Sequence, residues 1–211
     1  MNKLWKETLK KTIEYLTISN IPSMEWSFGG GTVLMLHYHH RVSKDIDIFL
    51  NNAQYLTFIS PRLNDHAAII IGKNEYQEQS NFVKLEISNG QFIDFILAPF
   101  LTKQPLRVYS LHNQKIQIET PAEIITKKIF YRSETFKSRD IYDLGVVLHH
   151  REKELLDTLQ VYSKKLPALL ERIMKHEKRY YQEIPQLALT GKYNVKECLE
   201  KAKNFIIKNL K

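Results

Sequence analysis

The feature that most constrains the fold of this chain is a change in the spacing of its apolar residues near residue 118. Before that point, short runs alternate apolar and polar residues, as strands do. After it, apolar residues recur every three or four positions, as on helices. We therefore predict an α+β protein, with a mixed sheet and helices over residues 1–118 and a C-terminal helical bundle over residues 119–211.

A hairpin is the clearest local signal in the first part. The runs NFVKLEIS and QFIDFILA alternate apolar and polar residues and flank Asn89-Gly90, a pair typical of tight β-turns. Residues 53–66 are ambiguous, and we predict a helix interrupted near Pro61. The remaining predicted strands cover residues 25–28, 45–50, 67–72 and 115–120, and the predicted helices cover residues 2–19 and 32–40.

The helical part opens with a helix-start signal. Thr120 is a candidate N-cap, Pro121 occupies the first helical position, and Glu123 completes a capping box. We predict a helix over residues 120–132, a second helix from Ser138, and mostly helical structure up to the C-terminus.

Two carboxylates stand one residue apart in an otherwise apolar strand, DIDIF. Asp45 and Asp47 would project from the same face of that strand, because strand side chains alternate. Neighbouring carboxylates repel each other unless a cation lies between them. Magnesium prefers carboxylate oxygens and shares its coordination with substrate phosphates. The pattern therefore favours a metal site, with a solvated strand edge as the alternative.

A third acid from a neighbouring strand would complete such a site. Asp94 lies inside the apolar run FIDFI, where an unpaired charge is costly. Glu86 is the alternative, although its alternation with Lys84 suits an exposed face.

Three glycines, Gly29–Gly31, separate a predicted strand from a predicted helix. Glycines let the backbone approach a phosphate, and free N–H groups at a helix start attract anions. A simple tight turn is the alternative. Strand, glycine turn, helix and acidic strand in this order suit metal-dependent phosphoryl or nucleotidyl transfer.

The stretch GGGTVLMLHYHHRVSKDIDIF, residues 29–49, resembles the signature of the AbiEii/AbiGii-type nucleotidyltransferases. These belong to the polymerase-β-like superfamily and are toxins of bacterial toxin–antitoxin and abortive-infection modules. Further matches are the segments TPAEIITKKIF and SRDIYDLGVV. The residues that match the first signature are Gly30, Gly31, Thr32, Leu34, His40, Arg41, Ser43, Asp45 and Asp47.

The resemblance implies a nucleotidyltransferase fold that moves a nucleoside monophosphate from a triphosphate to an acceptor. It implies Mg²⁺ or Mn²⁺ bound by Asp45, Asp47 and Asp94, which are also catalytic. Lys128 and Asp140 would add a lysine and an aspartate from the helical domain, with Lys127 and Asp143 as alternatives. The implied nucleotide-binding residues are Gly29, Gly30, Gly31, Thr32, Arg41, Ser43 and Lys128.

Two of these residues keep alternative roles. Arg41 would pair with a phosphate or hold the two strand aspartates, and Ser43 would bind a phosphate oxygen or cap the turn. His40 is expected to orient the active-site loop.

The charge balance bears on the partners. There are 31 Lys and Arg residues against 23 acids, a formal charge of +8, which favours polyanions. We predict tRNA, another RNA or a protein as acceptor. Tyr180 and Tyr181 in the basic tail are available for stacking on bases, with a solvated helix face as the favoured alternative. The resemblance implies a cognate antitoxin as a further partner. The rival functions are a nucleotide- or nucleic-acid-binding module without turnover and a kinase-like phosphotransferase on the same fold.

The single cysteine, Cys198, excludes a disulfide within the chain and a cysteine-based zinc site, which fits the cytoplasm. No long uncharged apolar run occurs, so no membrane span is expected.

Overall fold

The computed structural model describes residues 4–67, 75–87, 90–111 and 114–210. The chain forms two compact units. The sheet unit comprises Met1–Val33, Ser43–Phe100 and Leu106–Glu119, and the helical unit comprises Leu34–Val42, Leu101–Pro105 and Thr120–Lys211. Whether residues 1–118 and 119–211 are separate domains stays a prediction.

The sheet unit contains a seven-stranded mixed sheet with the strand order β3-β4-β5-β2-β1-β7-β6. Two strand pairs, β2 with β5 and β1 with β7, are parallel, and the others are antiparallel. The strands are β1 Trp26–Gly29, β2 Ile46–Leu50, β3 Tyr76–Gln79, β4 Phe82–Ile87, β5 Gln91–Leu97, β6 Leu106–Leu111 and β7 Gln114–Glu119. The helices that begin in this unit are α1 Leu4–Ile18, α2 Gly30–Tyr38 and α3 Gln54–Ile59. The predicted mixed sheet is confirmed.

The sequence missed two strands, β3 and β6, which form the two edges of the sheet. All four residues of β3 are exposed, so the run YQEQ has no apolar face to reveal it. The predicted hairpin is confirmed as the antiparallel pair β4–β5. Asn89 of its turn lies outside the described residues, as do residues 68–72 of the strand predicted over 67–72.

One face of the sheet forms the core of this unit. Phe28, Ile48, Phe95 and Val83 pair across four neighbouring strands, and all four are fully buried. Helix α1 covers this row, and the ring of Trp5 stacks on Phe28 at 6.4 Å between centroids. Burying each such side chain contributes about 1.5–3 kcal/mol. Because side chains alternate along a strand, the residue that follows each of these four points to the opposite face.

The helical unit follows the predicted order. Its helices are α4 Pro121–Arg132, α5 Ser138–Asp157, α6 Leu159–Tyr162, α7 Leu166–Lys175, α8 Glu177–Glu183 and α9 Val195–Asn209. In the described ranges, none of the helices is both long enough and apolar enough to cross a bilayer.

Only one half of the capping box predicted at the start of α4 forms. The Thr120 hydroxyl accepts the N–H of Glu123 at 3.3 Å, and Pro121 is the first helical residue. The reciprocal half of the capping box does not form, because the Thr120 N–H donates to the carbonyl of Pro105 at 2.8 Å. The buried Glu123 carboxylate instead accepts hydrogen bonds from the N–H groups of Leu101 and Thr102. This acid therefore fixes the 101–105 segment to the helix.

Residues 188–190, which precede α9, pair with the segment before β2. Arg41 and Leu189 form an isolated antiparallel bridge, and the N–H of Val42 donates to Ala188 at 2.9 Å. The Thr190 hydroxyl donates to the carbonyl of His39 at 2.6 Å. The segment 39–42 is thus held by residues 188–190, which the sequence did not predict.

Candidate active site

Asp45 and Asp47 lie on the same face at the start of β2. Both are partly exposed, whereas Ile46 and Ile48 between and after them are fully buried. The alternation expected of the DIDIF strand is therefore present, with the isoleucines anchored in the core and the carboxylates on the opposite face.

Asp94 lies beside Asp47. The two residues are register partners in the parallel pair β2–β5, so their side chains leave the sheet on the same face. Glu86 lies one strand farther away, where it pairs with Phe92. Asp94, and not Glu86, is therefore the acid beside Asp47, while its role as the third acid of a metal site stays a prediction. We call Asp45, Asp47 and Asp94 the carboxylate face.

The first two glycines of the triplet have distinct structural roles. Gly30 has a φ of +67°, and a Cβ there would overlap the Asp47 carboxylate, with Cγ at 2.5 Å and Cβ at 2.9 Å. Gly29 is the last residue of β1 and pairs with Asp47. A Cβ on Gly29 would lie 2.5 Å from Glu119 Oε2 and 2.6 Å from the Phe49 ring. Both positions therefore need glycine for Asp47 and its surroundings to pack as they do.

Thr32 and Ser43 tie the start of α2 to the loop before β2. The buried Thr32 hydroxyl donates to the carbonyl of Asp45 at 2.6 Å, and the Ser43 hydroxyl lies 3.0 Å from it. The capping role considered for Ser43 stays a prediction. Binding of phosphate by either hydroxyl stays a prediction.

Within the part of the chain that the structure describes, no three His, Cys, Asp or Glu side chains are arranged to hold a metal ion. Each acid of the carboxylate face instead contacts a nearby group of the protein. Asp45 Oδ1 accepts the N–H of Phe92 at 3.3 Å, Asp47 lies against Gly30, and Asp94 pairs with Lys84 at 2.5 Å. The donor chemistry still fits Mg²⁺, which usually takes one or two carboxylates and completes its shell with water and phosphate.

The helical unit contains a buried charge cluster, formed by His40, Arg41, Lys128, Asp140 and Asp143. Asp143 is fully buried and accepts four hydrogen bonds, two of them a bidentate pair from Arg41 Nε and Nη2 at 2.8 Å. His40 Nε2 lies 2.7 Å and Lys128 Nζ 2.6 Å from the same carboxylate. Lys128 Nζ also contacts Asp140 at 2.7 Å. The two cations and two acids neutralise one another.

The cluster shifts the protonation of its members. Burial raises the pKa of the Asp143 carboxyl, but Arg41 and Lys128 outweigh it and hold that pKa well below its usual range. Burial lowers the pKa of His40 against the opposing effect of Asp143. Because Asp143 is ionised, His40 donates through Nε2, and its buried Nδ1 has no hydrogen-bond partner among the described residues. His40 is therefore neutral with the proton on Nε2.

Arg41 has a different partner from either one considered in the sequence. The sequence predicts a phosphate or the pair Asp45 and Asp47 as its partner, whereas in the structure it pairs with Asp143. Lys127 and Lys128, the two candidates for the phosphate-binding lysine, have different partners. Lys127 pairs with Glu123 at 3.4 Å, while Lys128 belongs to the buried charge cluster. Nucleotide contacts of these cations stay predictions.

One prediction about the basic tail is wrong. Tyr180 is fully buried and donates its hydroxyl to the carbonyl of Val195 at 2.9 Å, so it cannot stack on a base. Tyr181 is 40% exposed and keeps that possibility.

The mixed sheet, the glycine turn and the acids on adjacent strands are the features that the sequence predicted for a nucleotidyltransferase-type protein. A family model described as "Nucleotidyl transferase AbiEii toxin, Type IV TA system" matches residues 22–197. The chain belongs to this family, which confirms the resemblance seen in the sequence.

Three solved structures are similar to the chain. JHP933 from Helicobacter pylori has 18% identity and a TM-score of 0.49, over 97% of this chain and 91% of that one. A putative nucleotidyltransferase from H. pylori has 16% identity and a TM-score of 0.48, covering 93% and 92%. An antigenic nucleotidyltransferase-like protein from Paracoccidioides brasiliensis has 13% identity and a TM-score of 0.49, covering 85% and 93%. No curated protein matches the chain.

Sequence reasoning missed two charged residues near the carboxylate face. Glu119 is fully buried at the end of β7, against Gly29. Its apolar surroundings in KIQIET could have indicated burial. Lys84 pairs with Asp94, but only the exact hairpin register reveals that contact.

Proposed function

We propose that this protein transfers a nucleoside monophosphate from a nucleoside triphosphate to an acceptor hydroxyl at the carboxylate face, with Mg²⁺ or Mn²⁺ as cofactor. The observation that carries the proposal is the register of Asp47 and Asp94 on adjacent strands, beside Gly29 and Gly30. Family membership supports the same class of activity.

In the proposed reaction, the acceptor oxygen attacks the α-phosphorus, the bond to the bridging oxygen of the β-phosphate breaks, and pyrophosphate leaves. The bound metal would neutralise the triphosphate charge. Asp45 and Asp47 would hold the metal, and Asp94 would act as a third ligand or take the proton of the acceptor. The backbone N–H groups at the start of α2, near Gly30 and Gly31, would bind the β- and γ-phosphates.

An RNA acceptor, such as a tRNA, is the version that the charges support best. The helical unit carries 21 of the 31 Lys and Arg residues but only 12 of the 23 acids, so it is strongly basic, whereas the sheet unit is close to neutral. Such an excess attracts a phosphate backbone. We further propose that the protein acts in the cytoplasm as a toxin and that a cognate antitoxin neutralises its effect, in keeping with its toxin–antitoxin family.

The test is incubation of the protein with each α-labelled triphosphate, Mg²⁺ and total RNA. Label in RNA together with release of pyrophosphate is the expected result. Label in protein would indicate a protein hydroxyl as the acceptor. Transfer of label from a γ-labelled triphosphate to the acceptor, with release of a nucleoside diphosphate, would indicate a kinase-like transfer. Binding without any transfer would indicate a module without turnover.

Asp45→Asn is the variant that tests the assignment. It keeps the size of the side chain and can still accept the N–H of Phe92, but it removes one metal-binding carboxylate. We expect transfer to fall by at least about a hundredfold, with thermal unfolding unchanged. Transfer at the level of the unmodified protein would refute the catalytic role of this face.

A further inference from the structure

One cation is built into the carboxylate face of the sheet unit. Lys84 lies directly opposite Asp94 in the antiparallel pair β4–β5, and its Nζ is 2.5 Å from Asp94 Oδ1. The same ammonium lies 4.5 Å from the centroid of the Phe92 ring. Two fixed partners thus hold a flexible lysine on the face that carries the acids.

The strand register places Lys84 in the same cross-strand row as Gly29. Gly29, Asp47, Asp94 and Lys84 pair successively across β1, β2, β5 and β4. Adjacent strands are about 4.8 Å apart, so the backbone of Lys84 is about 10 Å from that of Asp47. A lysine side chain can span most of that distance, and here it leans toward Asp94.

We propose that Lys84 is a positioning residue that serves as a stand-in counter-ion: it holds Asp94 while no divalent cation is bound, and it moves onto the nucleotide phosphates when the cation arrives. The proposal rests on the proposed function, because it takes the carboxylate face as the cation site. It assigns Lys84 two opposite effects, competition with the cation and attraction of the anionic substrate.

The strength of the ion pair fits an exchangeable contact. The side chains of Lys84 and Asp94 are 29% and 21% exposed, and such partly exposed pairs contribute at most about 1 kcal/mol. A doubly charged ion beside Asp47 competes readily with an interaction of that size. Once displaced, the ammonium is a mobile point charge, and lysine binds phosphates as such a charge.

The experiment measures binding of Mn²⁺ by electron paramagnetic resonance, first without nucleotide and then with a non-hydrolysable triphosphate analogue. Lys84→Met removes the charge and keeps an unbranched apolar stem. We expect this variant to bind Mn²⁺ alone two- to fivefold more tightly, and to bind the analogue in the presence of Mn²⁺ at least threefold more weakly. A purely structural role would not change the two affinities in opposite directions.

Two further variants serve as controls. Lys115→Met changes the net charge by the same amount at an exposed position of β7, and we expect both affinities to stay within a factor of 1.5 of the original. Lys84→Arg keeps the cation and should stay close to the unmodified protein in both measurements.

Unchanged or weaker Mn²⁺ binding by Lys84→Met would overturn the inference, as would analogue binding that is unchanged or tighter. The absence of Mn²⁺ binding in both the unmodified protein and Lys84→Met would also overturn it. Binding by the variant alone would support it. Asp45→Asn separates the inference from the proposed function: if that variant binds Mn²⁺ normally, the cation site itself is misplaced, whatever Lys84 does.

Discussion

Substitution of Gly30 by alanine tests whether the glycine turn sets the position of Asp47. Alanine at a φ of +67° costs about 1–2 kcal/mol in backbone strain. The new methyl group would also overlap Asp47, and rotation of the carboxylate about χ2 cannot relieve the contacts at 2.5 Å with Cγ and 2.9 Å with Cβ. Overpacking of this kind costs a further 1–3 kcal/mol or so. We therefore expect the free energy of unfolding to fall by about 2–5 kcal/mol.

Gly90 provides the matched control. Its φ is +63°, and no described atom lies within 4 Å of the position that a Cβ would take there. Gly90→Ala should therefore lose only the strain term, about 1–2 kcal/mol. Urea denaturation of both variants isolates the contact with Asp47 as the difference between the two losses.

The same pair of variants should separate stability from activity. Gly30→Ala displaces Asp47 and should abolish nucleotide transfer at a temperature where the protein is still folded, whereas Gly90→Ala should transfer normally. If both variants lose the same stability and both retain transfer, Asp47 does not depend on Gly30, and the reasoning about this turn is wrong.

Three further predictions concern the helical unit. Asp143→Asn leaves one of the buried cations Arg41 and Lys128 without a compensating acid. Urea titration should therefore show a free energy of unfolding that is lower by about 3–5 kcal/mol. A loss below about 1 kcal/mol would contradict this. Because the pKa of His40 is lowered in the folded state, the unfolded state binds more protons, and stability should fall as the pH drops below about 6.5; His40→Gln, which keeps a donor to Asp143, should flatten that part of the pH profile. Burial raises the pKa of the Cys198 thiol to about 12, so 5,5′-dithiobis(2-nitrobenzoic acid) should not react with the native protein at pH 8 but should react after unfolding.

The face of each carboxylate could be predicted from the sequence because strand alternation is a strictly local property. Asp45 and Asp47 were placed on one face by their spacing alone, and the isoleucines were placed in the core. The apolar residues around Asp94 make it the candidate third acid in the sequence, and the structure places it as the register partner of Asp47, although its role there stays a prediction.

The hairpin register could not be predicted in the same way. A two-residue Asn-Gly turn would have paired Lys84 with Phe95, on the core face. In the structure Ile87 pairs with Gln91, so three residues separate the paired ends and Lys84 faces Asp94. A shift of one residue moves every side chain of a strand to the other face, and local sequence does not fix it.

The partner of Arg41 was beyond sequence reasoning for another reason. Asp143 lies 102 residues away and meets Arg41 only through the packing of helices. Nothing local in the run HHRVS distinguishes an arginine aimed at a phosphate from one that neutralises a distant aspartate. Edge strand β3 was missed because the sequence signal for a strand is a buried face, which its exposed residues lack.

The pairing of residues 39–42 with residues 188–190 has a consequence for biosynthesis. His39 and Thr190 are 151 residues apart. At about 5–20 residues per second, a ribosome needs roughly 8–30 s to cover that interval. The nascent chain therefore carries His40 and Arg41 without this pairing until residues 188–190 have been synthesised, and a chain released before that point never acquires it.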